Sequence, residues 1–162
     1  MTIYFCDIEA NGLLEDATKI HCLSVKPLHG KVSTHIGDYS THIGAFNNDD
    51  TLVWHNGFGY DLPLLEKLLI TRACNINSIT LPNGIVRRVQ LIDSLALSRE
   101  YWPDNPRGHN LEAWAKFLGT HKPFIEDWEN LPVEEYIERC ENDVITTEKV
   151  FLYLADKLGI ET

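Results

Sequence analysis

A short apolar run near the start, Ile3-Tyr4-Phe5-Cys6, leads straight into Asp7-Ile8-Glu9, and no other feature restricts the fold so tightly. In a strand, residues two apart share a face and lie about 6–7 Å from each other. Asp7 and Glu9 therefore project together from a stretch otherwise apolar enough to be core. Two carboxylates held about 5 Å apart at an effective dielectric near 20 repel by roughly 3 kcal/mol. A fold tolerates this when a cation sits between them, and hard divalent ions such as Mg²⁺ or Mn²⁺ favour oxygen ligands of this kind. The plain alternative is a strand end whose two acids face water.

At 162 residues the chain suits one domain, 1–162, with a full-sized core. No run approaches the roughly 20 apolar residues of a membrane helix, and no basic stretch followed by an apolar block marks a signal peptide. Cys6, Cys22, Cys74 and Cys140 are scattered without a C-x-x-C pair. That spacing argues against a zinc site or a disulfide framework and for a reducing cytoplasm. The net charge of -10 argues against a protein that coats duplexes. The charge is uneven, however. Ile85 to Lys122 has six bases against four acids, whereas Glu126 to Asp143 has eight acids and only Arg139 as a base. Bound metal ions can invert the field of an acidic site and let it hold a phosphodiester; otherwise the acidic tract is a solvated face.

Periodicity predicts strands over 2–8, 19–26 and 31–36, joined as an antiparallel meander through the turn His29-Gly30. A fourth strand is expected over Thr51 to His55, then a helix over Tyr60 to Thr71 with Pro63 in its first turn. Residues 76–84 read as a loop or hairpin around Pro82-Asn83-Gly84, and Val89 to Ile92 as a fifth strand followed by a short helix from Ser94, with Asp93 as its cap. A helix over Leu111 to Leu118 is closed by Gly119. The last helix begins with Pro132 at its first position and carries the stripe Val133, Ile137, Cys140, Val144, Thr147, Phe151, Leu154 and Leu158. This order suggests an α/β domain with a mixed five-stranded sheet.

Two further acids stand out. Asp61 falls near the start of a helix, where the dipole favours a carboxylate. Asp143 falls beside the apolar stripe of the last helix, where it needs a partner. Together Asp7, Glu9, Asp61 and Asp143 resemble the four-acid signature of the DEDD 3′–5′ exonucleases. The segments Asp7-Ile8-Glu9-Ala10-Asn11-Gly12-Leu13-Leu14, Trp54-His55-Asn56-Gly57, Ile92 to Arg99, and His109-Asn110-Leu111-Glu112-Ala113-Trp114 look like the proofreading domain of family-A DNA polymerases from short-tailed phages. The resemblance spans about Ile3 to Leu154, without the polymerase portion. It implies a ribonuclease-H-like fold with helices on both faces of the sheet. It also implies a two-metal mechanism with Mg²⁺ or Mn²⁺ held by Asp7, Glu9, Asp61 and Asp143, with Asp7 bridging both ions. The implied substrate is the 3′ end of a single strand, DNA favoured over RNA, with Leu13, Asn56 and His109 near it. Leu13 would wedge against the terminal base; Asn56 is otherwise a turn residue, His109 a helix-cap neighbour and Leu13 a core leucine. Tyr101 and Trp102 can stack on bases or pack in the core. A polymerase acting in trans is an implied partner, and a phage protein would work in the host cytoplasm.

The chain departs from the family at one position. Most members place a Tyr four residues before the last acid, or a His five before, to orient or deprotonate the attacking water. Here these positions are Arg139 and Glu138. Arginine does not accept a proton in a protein. Arg139 would bind the phosphate and leave water activation to the ions; or Glu138 would replace the base, although five residues puts it on another helix face; or the enzyme is slow and kept for binding. The plain account is an Arg139–Asp143 salt bridge across one helical turn. Alternatives to a DNA exonuclease are therefore a nuclease for short RNA, and a weakly active or inactive module that binds 3′ ends or a polymerase.

Overall fold

A computed structural model describes residues 1–162, apart from the side chain at position 74. In chain order the first half holds β1 (Ile3–Ala10), β2 (Ile20–Pro27), β3 (Ser33–His35), α1 (Tyr39–Gly44), β4 (Thr51–Trp54) and α2 (Asp61–Lys67). There follow β5 (Arg72–Asn75), β6 (Ser78–Thr80), β7 (Val86–Arg87), β8 (Gln90–Asp93), α3 (Ser94–Tyr101), α4 (Leu111–Leu118) and α5 (Val133–Leu158). The main sheet has the order β3-β2-β1-β4-β8. Its first three strands are antiparallel, and β4 and β8 join parallel to β1. This is the mixed five-stranded sheet expected, and the meander of the first three strands is as read from the sequence. No helix among the described residues is long and apolar enough to cross a membrane.

Period-two alternation in β1 sorts its side chains between two cores. Cys6, Ile8 and Ala10 pack with Leu52, Trp54 and the α2 residues Leu62, Leu64 and Leu65. Phe5 points the other way, packing with Val53 against Val144, Phe151 and Ala155 of α5. Asp7 and Glu9 share the parity of Phe5 and so face α5. On that helix Cys140, Asp143, Val144, Thr147, Phe151 and Leu154 are all buried, and the spacing of three and four brings Asp143 onto the same seam. Further along, Lys26 of β2 closes on Glu148 of α5 at 2.7 Å, which fixes the helix across the sheet.

β4 pairs with β1 only as far as Phe5. Past that point the two strands part, and β1 runs on to Ala10 with a register shift at Glu9. A crevice at the carboxyl ends of parallel strands is the usual place for a ligand in an open α/β sheet.

Some expectations need correction. The helix after β4 stops at Lys67 rather than Thr71: the N–H groups of Ile70 and Thr71 both turn back to the Leu65 carbonyl, and Leu69 is left-handed at φ 57°. The hairpin expected around Pro82-Asn83-Gly84 is present as β6-β7, but β5 adds a third strand and the three form a separate sheet that was not expected. Ile79 and the adjoining Leu81 are buried in the core that α2 also lines, whereas Arg72, Asn75 and Asn77 obscure any alternation in the sequence. Pro132 caps the last helix instead of occupying its first turn. Helix α1 has no counterpart in the sequence reading.

Candidate active site

Three of the four acids meet. One carboxylate oxygen from each of Asp7, Glu9 and Asp143 lies within 4.8 Å of the other two. Glu9 and Asp143 are buried. Asp7 retains some solvent contact, but its Oδ2 is sealed from water and has no hydrogen-bond partner. Asp61 is not one of the three. Buried in the first turn of α2, it accepts a hydrogen bond from the Ile8 N–H at 3.2 Å, between the two acids of the strand. Its approach is set by the turn at Asn56-Gly57. Asn56 is left-handed at φ 65°, and a Cβ on Gly57 would run into the Trp54 side chain.

Burial raises the pKa of each acid, because desolvation penalises the charged form. Asp7 is held well above the usual carboxylate range by burial first, then by Glu9, Asp143 and Asp61. Glu9 is raised by burial and Asp143, with Arg139 opposing. Asp143 is raised by burial against the pull of Lys122 and Arg139. Asp61 is pushed up to about 8 by burial, despite hydrogen bonds from its own N–H and that of Ile8.

Two cations sit on the cluster. Arg139 Nε lies 3.4 Å from Asp143 Oδ2 and 3.7 Å from Glu9 Oε1. Its Nη1 donates to the Pro123 carbonyl at 2.5 Å, and its guanidinium lies 5.5 Å from the Trp128 ring centre. Lys122 Nζ is 3.4 Å from Asp143 Oδ1, an oxygen that still lacks a hydrogen bond. Lys122 was not anticipated. It lies in an irregular segment, where sequence periodicity carries no information about what it reaches.

The remaining candidates divide. Glu138 is exposed and does not join the acids. Asn56 is an exposed turn residue whose N–H donates to Asp93 at 2.8 Å. Asp93 also caps α3 through the Leu95 N–H, as expected. His109 is held by Ser98 at 2.8 Å and by the Pro103 carbonyl at 3.3 Å, while its own carbonyl accepts from His55. It thus ties the α3–α4 loop to the β4–α2 turn. Tyr101 packs edge-on against Tyr153 in the α5 core. Leu13 is 77% exposed, so it is not a core leucine. It borders a groove of about 640 Å³ that runs from Glu9 past Tyr60 to Trp128. Tyr60 and Trp128 were missed: one adjoins Asp61, and the other falls within the acidic tract.

An all-oxygen donor set with an orphaned oxygen on Asp7 suits a hard divalent cation. Asp7, Glu9 and Asp143 would hold it, with Asp61 close by.

The chain is 30% identical over 155 residues to the DNA-directed DNA polymerase of Escherichia phage T7, an alignment covering 83% of the chain and 22% of the polymerase. It therefore spans less than a quarter of that curated relative's length. Among solved structures, Brucella melitensis NrnC bound to pGG superimposes with a TM-score of 0.67 at 16% identity, over 97% of this chain and 73% of that one. NrnC has also been solved with bound Mg²⁺. Phi29 DNA polymerase complexed with single-stranded DNA matches 99% of this chain and 32% of its own, at a TM-score of 0.62 and 14% identity. At these identities the structural likeness is one of fold. No family model matches the chain.

Proposed function

We propose that the chain belongs to the DEDD exonuclease superfamily and is a metal-dependent nuclease removing nucleotides from the 3′ end of single-stranded DNA. The observation that carries this reading is the meeting of Asp7, Glu9 and Asp143 within 4.8 Å, with Asp61 bonded between the first two. A buried trio of like charges, with Asp7 Oδ2 and Asp143 Oδ1 both unpaired, is costly for structure alone and suited to cations. Two divalent ions, Mg²⁺ or Mn²⁺, would supply Lewis acidity and a water of lowered pKa. The protein's own part is to hold the carboxylates on rigid elements: Asp7 and Glu9 on a central strand, Asp143 on a 26-residue helix. Arg139 accepts no proton, so it acts as a positioning cation and not as a base.

The groove beside Glu9 is of a size to take a nucleobase. Tyr60 and Trp128 offer ring faces, and Leu13 an apolar edge against the terminal base. The phage polymerase relative and the single-stranded DNA bound by Phi29 polymerase support DNA over RNA; the pGG bound by NrnC supports a short strand as substrate, and short RNA is the runner-up. Residues 1–162 act as one exonuclease domain, in the host cytoplasm if phage-encoded, with a DNA polymerase as a partner in trans. The hold of Arg139 on Glu9 and Asp143 favours a second reading, a module that binds 3′ ends with little turnover.

The test is a single-stranded oligonucleotide labelled at either end and incubated with Mn²⁺. A 3′ label released first as mononucleotide, with a 5′ label shortening stepwise, is the expected result. Release of the 5′ label first, or cleavage unaltered in Asp7→Asn, overturns the proposal. Binding without cleavage selects the second reading.

A further inference from the structure

Two ion pairs on α5 offer a comparison. Lys26 and Glu148 are fully closed: Nζ lies 2.7 Å from the carboxylate, whose Oε1 also accepts the His29 N–H at 2.9 Å. That is the length of a charge-assisted hydrogen bond. Five residues earlier on the same helix, Asp143 is treated differently. Both cations that approach it, Lys122 and Arg139, stop at 3.4 Å, and Asp143 Oδ1 remains without a hydrogen bond although Lys122 is largely buried beside it. Arg139 reaches Glu9 only at 3.7 Å. The cluster therefore has cations near enough to offset its charge, yet apart from the long hydrogen bond from Arg139 Nε to Asp143 Oδ2 they leave Asp143 Oδ1 and Asp7 Oδ2 unsatisfied.

The two cations are also anchored unequally. Arg139 has the Pro123 carbonyl and the Trp128 ring to keep it in place without the carboxylates. Lys122 has, among the described residues, only Asp143. It projects from the irregular segment between α4 and α5, next to Pro123 and the 84%-exposed Phe124. The oxygens it neutralises are those whose donor set suits a divalent cation. An ammonium and a divalent ion repel and compete for the same Asp143 oxygens.

We infer that Lys122 is a resident counter-ion for this site: its ammonium occupies the place of the divalent cation on Asp143 in the metal-free protein and is exchanged for it, so that Lys122 sets the affinity of the site for metal. Arg139 stays, because its other partners hold it. Lys122 is a positioning residue in this scheme, acting through Asp143. The inference rests on the part of the proposed function that gives Asp7, Glu9 and Asp143 a divalent cation, and not on the nuclease chemistry.

The test is calorimetric titration of metal-free protein with Mn²⁺. Lys122→Met binds Mn²⁺ at least tenfold more tightly than wild type and shows a larger Mn²⁺-induced rise in melting temperature, while Lys122→Arg stays near wild type. Equal or weaker Mn²⁺ affinity in Lys122→Met overturns the inference, as does a wild type that binds no Mn²⁺. Should the methionine variant not fold, wild type itself provides the readout. Acylation of the Lys122 amine by a water-soluble ester, followed by peptide mass spectrometry, is slow in chelator and speeds up at least fivefold with Mn²⁺; an unchanged rate overturns the exchange. Tighter Mn²⁺ binding in Lys122→Met, without cleavage of DNA or RNA by wild type, supports the exchange and removes the nuclease reading alone.

Discussion

Replacing Asp7 by Asn should make the metal-free protein more stable. Asp7 is the acid of the trio with the least compensation: burial, Glu9, Asp143 and Asp61 all raise its pKa, no cation among the described residues pairs with it, and its Oδ2 is orphaned. At 4.8 Å, with an effective dielectric near 20, each fully charged pair within the trio repels by about 3.5 kcal/mol. Two such pairs amount to about 7 kcal/mol when all three acids are charged. Wild type escapes part of it by taking up protons, because the pKa of each acid is raised, and Arg139 and Lys122 offset more. A gain of about 1–3 kcal/mol at pH 8 is therefore expected for Asp7→Asn, which removes the charge at nearly constant shape. At 2–4 °C per kcal/mol for a domain of this size, the melting temperature should rise by about 2–12 °C. The assay is a thermal melt in EDTA at pH 8 and at pH 5. At the lower pH wild type takes up more protons, since the pKa of Asp7 is raised by burial and its acidic neighbours, so the advantage should shrink. Mn²⁺ should stabilise wild type and leave the variant nearly unmoved. A variant that melts below wild type in EDTA at pH 8, or gains as much at pH 5, refutes the reasoning.

Other outcomes follow from the same geometry. In chelator, stability should fall as pH rises. Asp61, whose pKa is raised to about 8 from an unfolded value near 3.9, contributes fully below about pH 4 and loses that contribution as pH passes about 8. Asp7, Glu9 and Asp143 shift in the same direction, so a melting profile flat or rising with pH would contradict it. Asp143→Asn should lower turnover on a single-stranded oligonucleotide by 100-fold or more, about 2.7 kcal/mol of barrier, without loss of the folded circular-dichroism signal. Leu13→Ala, at an exposed site, should change stability by less than about 0.5 kcal/mol while raising KM for the oligonucleotide; a melt lowered by several degrees would show that Leu13 is structural. Arg139→Met should destabilise the metal-free protein by about 1–3 kcal/mol in a urea titration, since Glu9 and Asp143 lose a largely buried partner.

Local patterns made much of this legible. A run of Ile-Tyr-Phe-Cys ending in Asp-x-Glu can place both acids on one strand face, and spacing alone assigns that face the same side as Phe5. The stripe of α5 likewise identifies the buried side of the helix, with Asp143 at its margin. Glycine at 119 and the cap at Asp93 mark helix boundaries, because left-handed closure and an orphaned N–H are local requirements. The small sheet β5-β6-β7 was not legible: its strands are only two to four residues long, and their order comes from contact with α2.

Strand and helix periods thus determined, from the sequence by itself, which side chains each element offers to its neighbours, and the family resemblance singled out the four acids. Only the tertiary structure decided how far they converge. Asp7, Glu9 and Asp143 form a trio, Asp61 caps the Ile8 N–H where β4 has left β1, and Lys122 arrives from an irregular segment to stand against Asp143. The physical reason is range: periodicity is set by neighbours within a turn or a pleat, whereas the distance between two charges distant in the chain depends on how the sheet, the helix and the segments between them pack.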